Sequence, residues 1–255
     1  MGIPIVTLTS DFGVRDHYVA AMKAAVLQWC PAARLIDVTH EIAPQDVLGA
    51  SITLGLAMRG FAAGTVHLAV VDPGVGTRRR MLVCRIADQW VVAPDNGLVT
   101  WAWRNANKKI AYELTWRPDR APSRTFHGRD IFGPAAGRLA GGTDVHELGR
   151  RMGTPVLLDV LRPARAGARR AVVIQIDRFG NATTQFPADQ LPAGARFVAN
   201  GHRIGPLRRT YSDVKPLRPL ALIGSSGLLE IAVRDGSAGA ELGLVVGSVV
   251  RIVAR

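Results

Sequence analysis

Cysteine is scarce, with only Cys30 and Cys84 in 255 residues. They lack metal-ligand spacing and are too few for a disulfide scaffold, so a reducing compartment is the default. The six histidines, His17, His40, His67, His127, His146 and His202, include no pair at the i, i+4 spacing of a metal-binding helix. A mononuclear site built from Asp11, His17, His40 and Asp72 is the alternative weighed, and no metal is expected. Lysine is rare too: positions 23, 108, 109 and 215 are the four lysines among 32 basic residues, against 20 acidic ones, for a net charge of +12. Aromatics make up 6% of the chain and are little interleaved with the arginines. No helix-turn-helix, zinc-finger or RNP pattern appears, so nucleic acid is not an expected partner. The positive charge suits an anionic or carboxylate-bearing small molecule instead. The apolar run "ASITLGLAM" ends at Arg59 and is too short to span a bilayer, so no membrane partner is expected either. No charged segment followed by an apolar one opens the chain, and Met1-Gly2 lacks Ser or Thr at position 6. The expectation is a cytoplasmic protein.

What is present is 48% hydrophobic residues, enough for a sizeable core. Residues 3–9 read as a buried strand and 16–29 as a helix, with Val19, Met22, Val26 and Leu27 at helical spacing. Residues 34–40 form the next strand, 44–61 a helix opened by Pro44, and 65–71 a third strand. That β-α-β-α-β order predicts a mostly parallel sheet with helices on its faces. Residues 80–86 and 89–95 add two strands turned at Ala87-Asp88, 96–106 a helix, and 110–115 another strand. A Pro-rich stretch then becomes helical from about Arg129. The Pro-, Ala-, Gly- and Arg-rich segment at 160–170 is the expected linker. Beyond it, alternating strands at 171–177, 196–200, 202–207, 219–224, 228–233 and 248–254, with an Asn200-Gly201 hairpin, predict a small β-barrel or sandwich. The expected organisation is an α/β N-terminal domain at 1–163 and an all-β barrel domain at 164–255.

In parallel α/β sheets, ligands bind outside the carboxyl ends of strands. Asp11, His40, Asp72, Asp95 with Asn96, and Asp177 with Asn181 all follow predicted strands. Any one of them alone reads as a turn or cap residue. The stretch "VVDPGVGTRRR" at 70–80 stands out because an acid ends an apolar strand and three arginines follow one tight turn later. It is not a Walker loop, and "GVGTRR" lacks the third glycine of a dinucleotide fingerprint. "DFG" at residue 11 has no kinase context. His67, inside an apolar strand, reads as a packed core residue.

Eight stretches in order, "TLTSDFG", "DHYVAAMKA", "IDVTHEI", "VVDPGVGT", "VAPDNGLV", "TFHGRDIFGPAA", "IDRFGNATT" and "SSGLLEIAV", resemble the S-adenosylmethionine (SAM) hydroxide adenosyltransferases, relatives of the fluorinases and chlorinases. The resemblance implies hydrolysis of S-adenosyl-L-methionine at the ribose C5′, giving adenosine and L-methionine. It implies no cofactor, and a homotrimer whose active sites lie between subunits. It places the catalytic trio on Asp72, Arg79 and His127. Arg78 and Arg80 remain open by a one-residue slip, although strand alternation would set Arg79 apart from both. In this reading Arg79 holds the attacking water, while Asp72 and His127 orient it and one of them accepts its proton. Substrate contacts carried over are Asp11 and Asp16 from the first domain. From the second they are Asp177, Asn181, Ser225, Ser226, Glu230 and the backbone of Val233. Phe126, Phe179 and Tyr211 are candidates to pack on purine or ribose.

Two positions depart from the resemblance. Arg234 stands where relatives often carry Asn, which puts that edge of the adenine site in question, and Gln185 follows the Thr pair. Within the family the rival activity is a SAM-dependent halogenase. Asp72, Gly128 and the short turn between the strands at 80–86 and 89–95 argue against it, since a carboxylate beside a halide repels it. A non-catalytic binder of adenosine or SAM is the other alternative.

Overall fold

The computed structural model describes residues 2–161, 164–165 and 167–253. The chain divides into two compact units, Met1–Leu158 and Asp159–Arg255. The expected boundary at 163/164 and the expected linker run through residues 162, 163 and 166, which lie outside the described residues, as does residue 254 of the last expected strand.

The first unit contains β1 (Ile5–Ser10), α1 (Tyr18–Trp29), β2 (Arg34–Thr39), α2 (Val47–Met58), β3 (Val66–Val70), β4 (Met81–Ile86), β5 (Gln89–Pro94), α3 (Thr100–Asn105), β6 (Lys109–Leu114), α4 (Gly133–Ala140), α5 (Val145–Leu148) and β7 (Gly149–Met152). A π-helical turn, Gly128–Phe132, runs directly into α4. The sheet order is β2-β1-β3-β5-β4-β6-β7. Its first four strands pair in parallel, and the hairpin partner β4 begins an antiparallel extension. β3 is buried along its whole length, as a central parallel strand must be. Strand alternation sends Val66, Leu68 and Val70 into a core shared with Met22 and Val26 of α1 and with Ala135, Ala136 and Leu139 of α4. Ala69 and Val71 enter the other core, against α2 and α3.

The β4–β5 turn at Ala87–Asp88 has φ of 48° and 64°, the left-handed pair that a two-residue hairpin requires. The expected helix at 96–106 begins later, at Thr100, because Asn96 and Gly97 make a turn in which Asn96 Oδ1 accepts the Leu98 N–H at 3.2 Å. Sequence patterning missed β7, an edge strand whose middle is two exposed arginines.

α4 lies so close to α1 that a Cβ on Gly137 would collide with the Val26 carbonyl oxygen. One turn earlier, a Cβ on Gly133 would stand 3.0 Å from the Ala25 Cβ. These two small residues let the helix backbones approach and so set where the π-turn sits.

His67 is wholly buried between Thr7 Oγ1, 2.7 Å from Nδ1, and Gln89 Oε1, 2.9 Å from Nε2. Gln89 spends its amide protons on the carbonyls of Met58 and Phe61. Its Oε1 must therefore accept, which assigns the proton to Nε2 and leaves Nδ1 to accept from Thr7. Burial pulls the imidazole pKa down to about 4, with the Gln89 hydrogen bond opposing.

The second unit contains β8 (Arg170–Ile176), β9 (Ala182–Pro187), β10 (Arg196–Ala199), β11 (His202–Pro206), β12 (Pro219–Ile223), β13 (Leu228–Val233), a short helix α6 (Ala238–Glu241) and β14 (Val249–Val253). Its strands pair antiparallel throughout in the order β11-β10-β14-β8-β9-β13-β12. A bridge from Leu207 to Ala221 brings the two edges together, giving the expected barrel, nearly closed. The β10–β11 hairpin turns at Asn200–Gly201 with φ of 45° and 81°. β9 escaped the sequence reading because its centre is Thr183-Thr184-Gln185. The Thr184 hydroxyl is buried and donates to the Leu229 carbonyl at 2.9 Å.

Two outcomes follow from this packing. Gly137→Ala should destabilise the first unit by about 1–3 kcal/mol through overpacking, measured by denaturant unfolding, and an unchanged midpoint would contradict the close approach. The unfolded His67 imidazole takes up a proton near its ordinary pKa of about 6.5, while the folded one refuses it until about pH 4. This group's contribution is therefore present above 6.5 and lost as pH falls toward 4, by up to about 3 kcal/mol. NMR of the folded protein at pH 5 should show His67 neutral, and a ring titrating near 6.5 would contradict its burial.

Candidate active site

β3 delivers the chain to Asp72, and the next five residues fold into a tight turn. The Asp72 carbonyl accepts the Val75 N–H at 3.2 Å, and the Gly74 carbonyl accepts both the N–H and the hydroxyl of Thr77, at 3.2 and 2.7 Å. Gly76 has φ +77°, and a Cβ there would collide with the Arg124 carbonyl oxygen. Only glycine meets both conditions, and the turn is thereby packed against the segment that leads to His127.

Past the turn, Arg79 reaches back. Its Nε donates to Asp72 Oδ1 at 2.7 Å, and its Nη2 donates to Asp72 Oδ2, making a two-pronged pair. Nη2 also donates to Nδ1 of His127 at 3.0 Å. The guanidinium carbon stands 5.3 Å from the centre of the Phe132 ring. The Asp72 and Arg79 side chains are 6% and 10% exposed, so the pair is largely withdrawn from water. His127 immediately precedes the π-turn. Because Nδ1 accepts, its ring is neutral with the proton on Nε2. Its pKa is lowered by burial first and then by the Arg79 charge, with Asp72 and Asp130 opposing and Arg117 adding to the depression.

The neighbouring arginines do other work. Arg80 binds buried Asp95 through Nε at 2.7 Å, and the second Asp95 oxygen accepts the Val156 N–H at 2.7 Å. Arg78 is exposed. The geometry thus singles out Arg79 as the partner of Asp72.

A cavity of about 400 Å³ opens beside the trio, lined by Asp11, Gln45, Asp72, Phe126 and His127 among others. Phe12 and Tyr18, also in its wall, complete an aromatic corner with Phe126: ring centres are 5.9 Å apart for Phe12–Phe126 and 5.2 Å for Tyr18–Phe126. Phe12, Tyr18 and Gln45 were not anticipated. Phe12 and Tyr18 lie within or beside quoted motifs, and Gln45, at φ 66°, is tied to Asp11 Oδ2 through its N–H at 2.8 Å. Asp16 is exposed and lies outside that lining. His40 is engaged at both ring nitrogens, by Ser10 Oγ at 2.7 Å and Asp37 Oδ1 at 3.1 Å, in a relay that continues to Lys23. Among the described residues no group of three or more His, Cys, Asp or Glu side chains is arranged to hold a metal.

In the second unit, Asp177 and Asn181 form a closed turn. Asp177 Oδ1 accepts the N–H groups of Phe179 and Asn181 at 2.9 and 2.8 Å, and Oδ2 accepts the Asn181 side-chain amide at 3.0 Å. Phe179 at the tip is 77% exposed, unusual for a phenyl ring. Tyr211 donates its hydroxyl to Glu230 Oε1 at 2.7 Å. Burial raises the Glu230 pKa, with the Tyr211 hydrogen bond opposing and the Asp177 charge adding. Burial likewise pushes Tyr211 up to about 12, helped by Glu230. Ser225 is exposed, while Ser226 is half-buried and its hydroxyl accepts the Leu228 N–H at 3.4 Å. The Val233 side chain is buried and its carbonyl accepts the Gly236 N–H at 3.2 Å.

The two departures have structural partners. Arg234 Nη1 donates to the carbonyls of Val214 at 2.7 Å and Ser212 at 3.4 Å, bracing the single turn Tyr211–Asp213. Gln185 accepts the Val172 N–H at 3.1 Å and donates to the Val160 carbonyl at 2.5 Å.

Known proteins resemble the chain over nearly its whole length. A protein of Thermus thermophilus named (R)-S-adenosyl-L-methionine hydrolase is 40% identical, covering 95% of this chain and 97% of its own. A protein of Actinoplanes named fluorinase is 28% identical, covering 91% of each. The crystal structure of an uncharacterized conserved protein from Thermotoga maritima superposes with a TM-score of 0.89 at 34% identity, over 98% of this chain and all of that one. The family profiles of the SAM hydroxide adenosyltransferase N-terminal and C-terminal domains match residues 6–149 and 171–251. With the Asp72–Arg79–His127 cluster at the end of its central strand, the chain belongs to the SAM hydroxide adenosyltransferase family.

Proposed function

We propose that this protein hydrolyses S-adenosyl-L-methionine at the ribose C5′, with water as nucleophile, giving adenosine and L-methionine. The observation that carries this reading is the single guanidinium of Arg79, which binds Asp72 by two prongs and His127 by a third contact beside an aromatic-walled cavity. The relatives' name specifies the R configuration at sulfur, and the reading extends to that epimer of the substrate.

The hydrogen-bond inventory divides the roles. Arg79 has no acceptor, and His127 Nδ1 is already occupied by Arg79. The lone pairs left to take a proton from water therefore belong to the Asp72 carboxylate, while the His127 Nε2–H donates to the water oxygen and aims it. Arg79 favours the hydroxide form by opposite charge. The leaving group is a neutral thioether departing from a sulfonium, so the departure needs no proton. Hydroxide attack on that cation cancels charge in the transition state, and a dry site strengthens the effect. In-line placement of oxygen, C5′ and sulfur supplies much of the remainder.

Asp11, with Phe126, Phe12 and Tyr18, is assigned to the nucleoside, and Asp16 to the amino-acid portion. Glu230, Asp177, Asn181, Phe179, Tyr211, Ser225, Ser226 and the Val233 backbone are the second unit's contribution. Burial and Asp177 hold the Glu230 carboxylate above its ordinary range, a strain that a bound sulfonium or ammonium relieves. A cytoplasmic homotrimer with shared sites and no cofactor completes the proposal, on the strength of the motif resemblance. Among the described residues no helix is long and apolar enough to cross a membrane.

The halogenase reading draws on the fluorinase relative. Asp72, largely buried and pointed at the cavity, sets a negative charge where a halide would have to sit.

Purified protein with SAM, prepared as separate sulfonium epimers in EDTA, should release adenosine without halide. Arg79→Ala and His127→Ala should each lower kcat by about a hundredfold or more. A halogenated nucleoside in chloride buffer would instead favour the halogenase, and tight binding without turnover a binding protein. The pH profile gives a second check. His127 must be neutral to accept from Arg79, and its pKa is depressed. The acidic limb of kcat should therefore fall below the ordinary imidazole value of about 6.5, and a limb at or above it would contradict this environment.

A further inference from the structure

A second cavity, of about 360 Å³, also touches the trio. His127 lines both cavities, whereas Asp72 lines only the first and Arg79 only the second. The second cavity is walled by Arg78, Arg79, Arg80, Arg117 and Arg124, against a single acid, Glu113.

The charges there do not cancel locally. Arg79 and Arg80 are paired with Asp72 and Asp95. Glu113 is held by Arg150, which donates Nε and Nη2 to the same oxygen at 3.1 and 2.9 Å. Arg78, Arg117 and Arg124 form no ion pair among the described residues. Arg117 is fixed by neutral groups, donating Nη1 to the carbonyls of Leu114 at 3.1 Å and Trp116 at 2.7 Å. Burial lowers its pKa, Glu113 opposes this, and the nearby Arg79 charge adds to it. Crowding guanidinium groups in a concavity is unfavourable until an anion bridges them. Their planar forks match the oxygens of a phosphate-like group.

We propose that this arginine-lined cavity is a binding site for a small tetrahedral oxyanion of the phosphate class, separate from the cavity assigned to the substrate. The ligand's charge is shared by Arg78, Arg117 and Arg124, and Arg79 forms the wall between it and the Asp72 carboxylate. The site does not depend on the hydrolase reading, because it is defined by residues on the other side of Arg79 and is tested without substrate.

His127 provides a built-in reporter. The charged groups acting on it are Arg79, Asp72, Arg117 and Asp130. An oxyanion beside Arg79 and Arg117 offsets the two cations that depress its pKa and so moves its titration upward.

The test is calorimetric titration of the substrate-free protein with inorganic phosphate and, separately, pyrophosphate at constant ionic strength, with NMR titration of His127 alongside. The expected result is saturable binding at one site and an upward shift of the His127 titration. Arg124→Gln and Arg117→Gln should each weaken binding by about tenfold or more. Arg85→Gln, which removes an exposed arginine paired with Asp88, should leave it unchanged. Tighter pyrophosphate would identify a polyphosphate ligand and tighter phosphate the free ion, and either supports the site. No saturable binding, or equal weakening by Arg85→Gln, would reduce the cavity to a share of the protein's overall positive charge and overturn the proposal. Arg124→Gln keeps the test decisive if Arg117→Gln fails to fold, since the Arg117 side chain also holds two backbone carbonyls.

Discussion

The fork of Arg79 on Asp72, with its third bond to His127, joins three pieces of chain that are far apart in sequence: the end of β3, the segment entering β4, and the residue that opens the π-turn. Much of the first unit can be understood as support for that junction. β3 is buried on both faces, so its end is fixed. Gly76 lets the turn lie against Arg124, and Gly133 with Gly137 let α4 settle on α1, which fixes the π-turn that follows His127. Phe132, beneath the guanidinium, shields the pair from water.

Such a pair contributes little net stability, because withdrawing both charges from water costs about as much as their attraction returns. Its value lies in orientation. With Asp72 and His127 both held by one planar group, their relative positions are set before substrate arrives. Preorganisation of this kind removes reorganisation from the reaction itself. The nearby Arg80–Asp95 pair shows the contrast. It fastens the β5 end to the Val156 backbone, and neither residue lines the Asp72 cavity.

Much of the architecture was readable because buried strands and amphipathic helices leave periodic traces. β1, β2 and β3 stand where apolar runs placed them, and His67 is a core residue because its partners, Thr7 and Gln89, lie on adjacent strands. β9 and β7 were not readable. One is centred on threonines and a glutamine, with the Thr184 hydroxyl buried on a backbone carbonyl, and the other is an edge of arginines, so neither shows an apolar alternation. Strand alternation does not separate Arg79 from Arg78 and Arg80, because β4 begins only at Met81, after all three; their partners do, Asp72 for Arg79 and Asp95 for Arg80. The aromatic corner of Phe12 and Tyr18 was missed because it forms only when the loop after β1 meets the start of α1 and Phe126, a tertiary contact with no local signature. For the same reason the partners of Arg234 and Gln185 are visible only in the fold.

In the proposed reaction, water placed by Asp72, Arg79 and His127 attacks C5′. Turnover in isotopically labelled water, followed by mass spectrometry of the nucleoside, tests it most directly. Attack of water at C5′ leaves one labelled oxygen on the 5′ hydroxyl of the adenosine and none on methionine. Label absent from the nucleoside, or a product in which the C5′–sulfur bond survives, would contradict it.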